Sequence, residues 1–167
     1  MKNVLPLLFL IAAACGPSKP RAAAPEFAIE TLLQAPMTSL SSLKDLNGDA
    51  VVLEFWATWC GPCVEGIPGM NKMVDSFQGR PVRFISVTDE PRETVESFLR
   101  DHPMKAWIGL DPSRSVFSAF KVKSRPELYV IDPYGRIWHK LHPSFFYKSD
   151  VEDAINAPAP SASAAGH

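Results

Sequence analysis

Cys60-Gly61-Pro62-Cys63 places two thiols two residues apart, and no other residues in the sequence are as well suited to chemistry. At the start of a helix such a pair can close a small ring. The same geometry leaves one sulfur near backbone N–H groups that have no partner within the helix. Cys60 is expected to be that exposed sulfur. Because the thiolate and not the thiol attacks a disulfide, the site must bring its pKa down from about 8.5 toward neutrality. A helix terminus is worth roughly 0.3–1 kcal/mol to a charge, whereas one pKa unit corresponds to about 1.4 kcal/mol, so direct N–H or S–H hydrogen bonds must supply the remainder. The cycle that follows is attack by Cys60 on a disulfide, a mixed disulfide, and resolution by Cys63 from within the chain. Cys63 needs a proton acceptor for that step. Glu54 is the candidate, as the sole ionisable side chain in the apolar run leading into the motif, and confinement there should raise its pKa toward neutrality.

These residues need a strand behind them and a helix ahead. Ala50 to Trp56 is nearly all apolar with β-branched and aromatic residues, the pattern of a central strand covered on both faces. Val64, Ile67, Met70, Met73, Val74 and Phe77 then recur at helical spacing until Gly79 and Pro81 stop the helix, with the cysteines at its start. Val82 to Thr88 reads as a strand, Pro91 to Arg100 and Ser113 to Phe120 as helices, and Lys148 to Ile155 as a last helix. Glu127 to Ile131 and Arg136 to Leu141 form an antiparallel hairpin through Asp132-Pro133-Tyr134-Gly135. Phe27 to Leu33 is a first strand, and Leu40, Leu43 and Leu46 line a short helical turn. The order is a βαβ half followed by a ββα half, an α/β fold without internal repeats.

The 167 residues suit one domain with accessory ends. With 17 Lys+Arg against 18 Asp+Glu the net charge is -1, which offers no general attraction to nucleic acid. The basic start, the apolar run from Val4 to Ala14 and Cys15-Gly16 read as an export signal, too short to span a bilayer, which takes about 20 apolar residues. Ala12-Ala13-Ala14 before Cys15 resembles a lipoprotein signal, in which the cysteine is the acylated first residue of the mature chain. Secretion with cleavage after Ala24, or an uncleaved anchor, stand as alternatives. The expected division is residues 1–15 as signal ending at the lipidated cysteine, 16–26 as flexible tether, 27–156 as the folded domain and 157–167 as a disordered tail.

Glu54-Phe55-Trp56-Ala57-Thr58-Trp59-Cys60-Gly61-Pro62-Cys63 resembles the active-site signature of thioredoxins, and with the export signal it is similar to the TlpA/ResA-type extracytoplasmic branch. The resemblance spans about Leu33 to Ile155. It implies a thioredoxin fold with a central mixed β-sheet flanked by helices and an N-terminal strand extension. It further implies a protein thiol–disulfide oxidoreductase in the bacterial envelope that requires no cofactor. Its partners would be proteins bearing thiols or disulfides and a membrane-borne or soluble electron donor; a lipid-tethered monomer is expected. Glu54 falls where thioredoxins carry a buried aspartate, Pro68 where a proline bends the first helix, and Pro126 where a cis-proline faces the sulfurs. Trp59, Gly61, Pro62 and Arg125 make up the surroundings. Two residues depart from the branch: Gly66 stands where an acid is common, and Arg125 precedes the proline where a small or β-branched residue is usual. A cation there would favour the thiolate and attract acidic segments of a partner.

Gly-Pro between the cysteines resembles the reducing thioredoxins and sets the expected direction as disulfide reduction. An oxidase of the same fold is the nearest alternative, and a peroxidase is disfavoured by the dithiol motif. From another class comes a non-catalytic copper chaperone, although copper-delivery relatives space their cysteines one residue further apart. A zinc site would need two more ligands. His139 and His142, three apart on a strand, would tend to face opposite sides, so no metal is expected.

Overall fold

The computed structural model describes residues 21–160. Its frame is a six-stranded sheet in the spatial order β1 (Thr31–Leu33), β4 (Trp107–Leu110), β3 (Val82–Thr88), β2 (Ala50–Phe55), β5 (Glu127–Ile131) and β6 (Ile137–Leu141). Ala50–Phe55 is β2, buried at all six positions, as its unbroken apolar pattern requires. It runs parallel to β3 (Val82–Thr88) on one side and antiparallel to β5 (Glu127–Ile131) on the other. The hairpin partner β6 (Ile137–Leu141) closes one edge, with Asp132 accepting the Tyr134 and Arg136 backbone N–H groups in the turn. This is the mixed sheet that the resemblance implies.

Helix α1 (Gly61–Ser76) follows β2 after a short loop and continues through Pro68. After β3 come α2 (Arg92–Asp101), β4 (Trp107–Leu110) and α3 (Ser115–Ala119), and α4 (Lys148–Ile155) follows β6. One core cluster gathers Leu53, Phe55, Val87, Phe117, Phe120 and Tyr129, and a second gathers Val52, Met70, Phe84, Val130 and Val151. Each large side chain so buried is worth about 1.5–3 kcal/mol.

Strand β4 is absent from the sequence reading. It has four residues with a glycine inside, too short for alternation to register. Gly109 is closely packed, since a Cβ there would lie 3.0 Å from Ile29 Cδ1 and 3.2 Å from Val87 Cγ2 and those side chains would have to shift by a few tenths of an ångström. The first strand is also shorter than its pattern: β1 is Thr31–Leu33, antiparallel to β4, while Ile29 makes a separate bridge to Leu40. Helix α3 begins later than the sequence suggests because Asp111 draws in the N–H groups of Ser115, Val116 and Phe117.

Part of the segment read as tether lies against the sheet. Ile137 N donates to Ala22 O, Ala24 N donates to Gly135 O, and the Arg21 guanidinium stacks 3.4 Å over Trp138. The strip pairs with backbone groups that the edge of β6 would otherwise expose. At the other end Ala157 is buried, and Pro158 O accepts from Arg136. Cys15, the lipidation and export readings, and residues 161–167 of the tail lie outside the described residues. No helix among the described residues is long and apolar enough to cross a membrane.

Candidate active site

Cys60 and Cys63 are joined as a disulfide, with Cα atoms 5.2 Å apart. Cys60 is the N-cap of α1, and its Sγ, joined in the disulfide, accepts the Cys63 backbone N–H at 3.3 Å. Gly61 and Pro62 fill the first positions of the helix, where proline's missing N–H costs nothing. The expected exposure of Cys60 is not found. Cys60 is 4% exposed and Cys63 3%, because the closed ring packs into a cluster with Trp56, Ile67, Val95 and Leu110. Trp56 is buried as a core aromatic, whereas Trp59, beside the sulfurs in sequence, is 68% exposed.

On one side of the disulfide is Glu54, buried in β2 between Leu128 and Ser86 on the flanking strands. Its Oε2 accepts from Ser86 Oγ at 2.9 Å, and no cation pairs with it among the described residues. Burial pushes its pKa from 4.5 up to about 7, with the Ser86 hydrogen bond pulling back only in part. The side chain faces a groove of about 360 Å³ between α1 and the loop after β6, rimmed by Pro62, Gly66, Pro126, His142 and Phe146. Gly66 brings no acid to that wall, but Glu65 beside it also lines the groove. Pro126 is buried, and the Arg125–Pro126 peptide is cis.

The opposite side is built from charges held by partners. Thr58 donates its backbone N–H to Glu90 Oε2 at 2.7 Å and its hydroxyl to Oε1 at 2.6 Å, while Thr88 Oγ1 donates to Oε2 at 3.1 Å. Glu90 thereby ties the loop before Cys60 to the end of β3. Its neighbour Asp89 pairs with both Arg114 and Arg125. The Arg125 guanidinium lies 5.2 Å from the Trp59 ring centroid and 4.5 Å from that of Phe117.

Of the residues singled out in the sequence, Glu54, Pro62 and Pro126 share one groove and Trp59 and Arg125 share one hollow, with Cys60, Gly61 and Cys63 at the head of α1. Asp89, Glu90, Thr58 and Ser86 were missed. Only the position of Asp89-Glu90 between a strand end and a proline-initiated helix hinted at the clamp. The two strand-end histidines do not converge: His139 approaches Asp150 at 3.7 Å, whereas His142 caps a turn by accepting the Ser144 N–H. No group of three or more His, Cys, Asp or Glu among the described residues is arranged to hold a metal ion.

Comparison with known proteins bears on the family and the fold. A family model described as the AhpC/TSA family matches residues 20–140. Thiol-disulfide oxidoreductase ResA of Bacillus cereus (strain ZK / E33L) is 31% identical over 100 residues, which are 59% of this chain and 58% of that protein. ResA of Geobacillus thermodenitrificans (strain NG80-2) is 30% identical over 119 residues, 71% of this chain and 68% of that protein. The chain thus spans less than two thirds of the first of these relatives. Among solved structures, a thioredoxin-like superfamily protein superposes with a TM-score of 0.73 at 22% identity, covering 83% of this chain and 99% of that one. A thiol:disulfide interchange protein from Chlorobium tepidum TLS gives 0.68 at 21% identity, covering 83% and 99%. At such identities the superpositions establish the thioredoxin-like fold.

Proposed function

The chain belongs to the AhpC/TSA family, and from that premise we propose that it is a protein thiol–disulfide oxidoreductase acting as a disulfide reductase outside the cytoplasm. The observation that carries this reading is the Cys60–Cys63 disulfide at the head of α1, whose Cys60 Sγ accepts a backbone N–H and whose intervening Pro62 shares a groove with Pro126 and the buried Glu54. In the reduced chain the Cys60 thiolate attacks one sulfur of a partner's disulfide, and the partner's other sulfur leaves as a thiolate. Cys63 then gives its proton to the Glu54 carboxylate and attacks Cys60 Sγ, releasing the partner's second thiolate. Two electrons pass from the dithiol to the partner, and the chain is left in the disulfide form seen here. A carboxyl group with a pKa near 7 exchanges protons at neutral pH, as this step demands. A separate electron donor restores the dithiol. The N-terminal pattern ending at Cys15 supports a lipid tether that holds the domain at a membrane surface.

Reduction of a protein disulfide such as insulin's, followed for the full chain and for Cys60→Ser and Cys63→Ser, tests this. The wild type should turn over, Cys60→Ser should not, and Cys63→Ser should accumulate mixed disulfides. Equal turnover by wild type and Cys60→Ser would remove the reading. A reduction potential near about -120 mV, instead of about -270 mV or below, would reverse the direction of electron flow.

A further inference from the structure

Between Pro112 and Pro126 the sequence holds Arg114, Lys121, Lys123 and Arg125 and no acidic residue, in a chain whose charges otherwise nearly cancel. Three of these cations, Arg114, Lys123 and Arg125, line a hollow of about 100 Å³ together with Trp59 and Phe117. The hollow adjoins both halves of the site, because Trp59 directly precedes Cys60 and Arg125 directly precedes Pro126. Its one acidic partner is Asp89, which pairs with Arg114 and Arg125 and leaves Lys123 without a counter-ion among the described residues. The balance there is positive.

Arg125 also keeps unused hydrogen-bonding capacity. Its Nε and Nη2 are buried and have no hydrogen-bond acceptor. Asp89 Oδ2 lies 2.6 Å from Nη2, close enough to neutralise charge but out of line for a hydrogen bond. Nε and Nη2 form the edge of a guanidinium that grips a carboxylate through two parallel bonds. Buried donors without an acceptor are costly, so an acceptor supplied from outside would be favoured. Trp59, the exposed wall of the hollow, is the side chain free to move aside for it and to cover an aliphatic stem.

We infer that this hollow is a specificity subsite for an acidic side chain, Asp or Glu, flanking the attacked cysteine of the polypeptide disulfide on which the protein acts. The inference rests on the oxidoreductase reading and adds a substrate preference to it. The carboxylate docks against Arg125 and Lys123 while the neighbouring sulfur is presented to Cys60.

The test uses the reduced full chain and two disulfide peptides, acetylated and amidated so that no terminal carboxylate remains. The peptides are identical except for Glu or Gln on each side of one cysteine. Each exchange rate is divided by that peptide's rate with dithiothreitol, which removes intrinsic differences in reactivity. The Glu peptide is expected to react about fivefold to tenfold faster at low salt, and the preference should shrink as salt approaches about 1 M. Lys123→Glu should abolish the preference, and Arg125→Gln should bring it near one, with Arg125→Lys restoring part of it. Equal normalised rates for the two peptides with the wild type, both reacting well, would overturn the subsite and leave the oxidoreductase reading intact. A loss in Arg125→Gln that lowers both rates alike would also overturn it. Reaction with neither peptide would remove both readings together.

Discussion

On the β2 side of the Cys60–Cys63 pair one carboxylate, Glu54, is buried with a single hydroxyl as its partner. At the end of β3, before α2, Asp89 and Glu90 are each answered, Asp89 by two guanidinium groups and Glu90 by Thr58, in the loop before Cys60, and by Thr88. A lone buried acid avoids the cost of its charge by holding a proton, which makes it useful as a proton carrier. Acids matched to donors stay in place and hold the backbone instead. One side of the disulfide is therefore arranged to move a proton, the other to fix a loop.

The sharpest way to break this contrast is Glu54→Gln. The folded carboxyl titrates at about 7 against 4.5 for an unperturbed group, so between those values the folded chain keeps a proton that the unfolded chain releases. Stability consequently falls as pH rises through this window, by roughly 3 kcal/mol once it is crossed. Glutamine has nothing to titrate. The oxidised variant should match the wild type near pH 4 and exceed it by up to roughly 3 kcal/mol at pH 8, read from urea midpoints. The same variant should slow disulfide reduction about 100-fold at neutral pH and lose the inflection near 7 from its rate profile. Identical stability at both pH values would mean that Glu54 is solvated like any surface acid.

A second measurement probes the clamp. Glu90→Ala removes the acceptor for the Thr58 N–H and hydroxyl, and hydrogen bonds to charged groups contribute about 1.5–3 kcal/mol each when buried. Glu90 is half-buried and its bonds act together, so a loss of about 2 kcal/mol is expected, with an unchanged denaturant slope. Amide exchange of the Thr58 N–H should quicken more than that of β2, since its local anchor has gone. An unaltered exchange rate at Thr58 would assign the loop's order to the disulfide and not to Glu90.

The unequal legibility of the two sides has the same physical origin. Glu54 stands out in the sequence because an acid inside Val-Val-Leu-Glu-Phe-Trp breaks an otherwise apolar pattern, and the dithiol announces itself by spacing alone. Asp89 and Glu90 precede a helix in a polar stretch, where acids are ordinarily solvated. Asp89 finds Arg114 and Arg125, and Glu90 finds Thr58, each 25 or more positions away along the chain, a separation that no local pattern encodes. β4 escaped for a related reason: Trp107-Ile108-Gly109-Leu110 becomes a strand through pairing with β3 and β1. The strip from Arg21 to Ala24 joins the sheet through backbone bonds and one ring contact, and alanines carry no mark of that. What depended on local composition was readable; what depended on distant partners was not.

Asp89→Asn gives the smallest effect and the finest test of the paired side. Arg125 is 11% exposed at its side chain and Asp89 15%, so removing the charge leaves a largely enclosed guanidinium without its counter-ion, while Arg114, at 52%, retains solvent. Exposed pairs are worth 1 kcal/mol or less and enclosed ones more, and the amide keeps an acceptor near Arg125, so a net loss of about 1 kcal/mol is expected. Raising salt to about 1 M should shrink the Arg114 part of that difference and spare the Arg125 part, because ions screen the exposed pair and not the enclosed one. The variant thus separates two pairs that share one carboxylate. If salt erased the whole difference, Arg125 would be held by Trp59 and Phe117 and not by Asp89, and charge pairing on this side would be confined to the exposed Arg114.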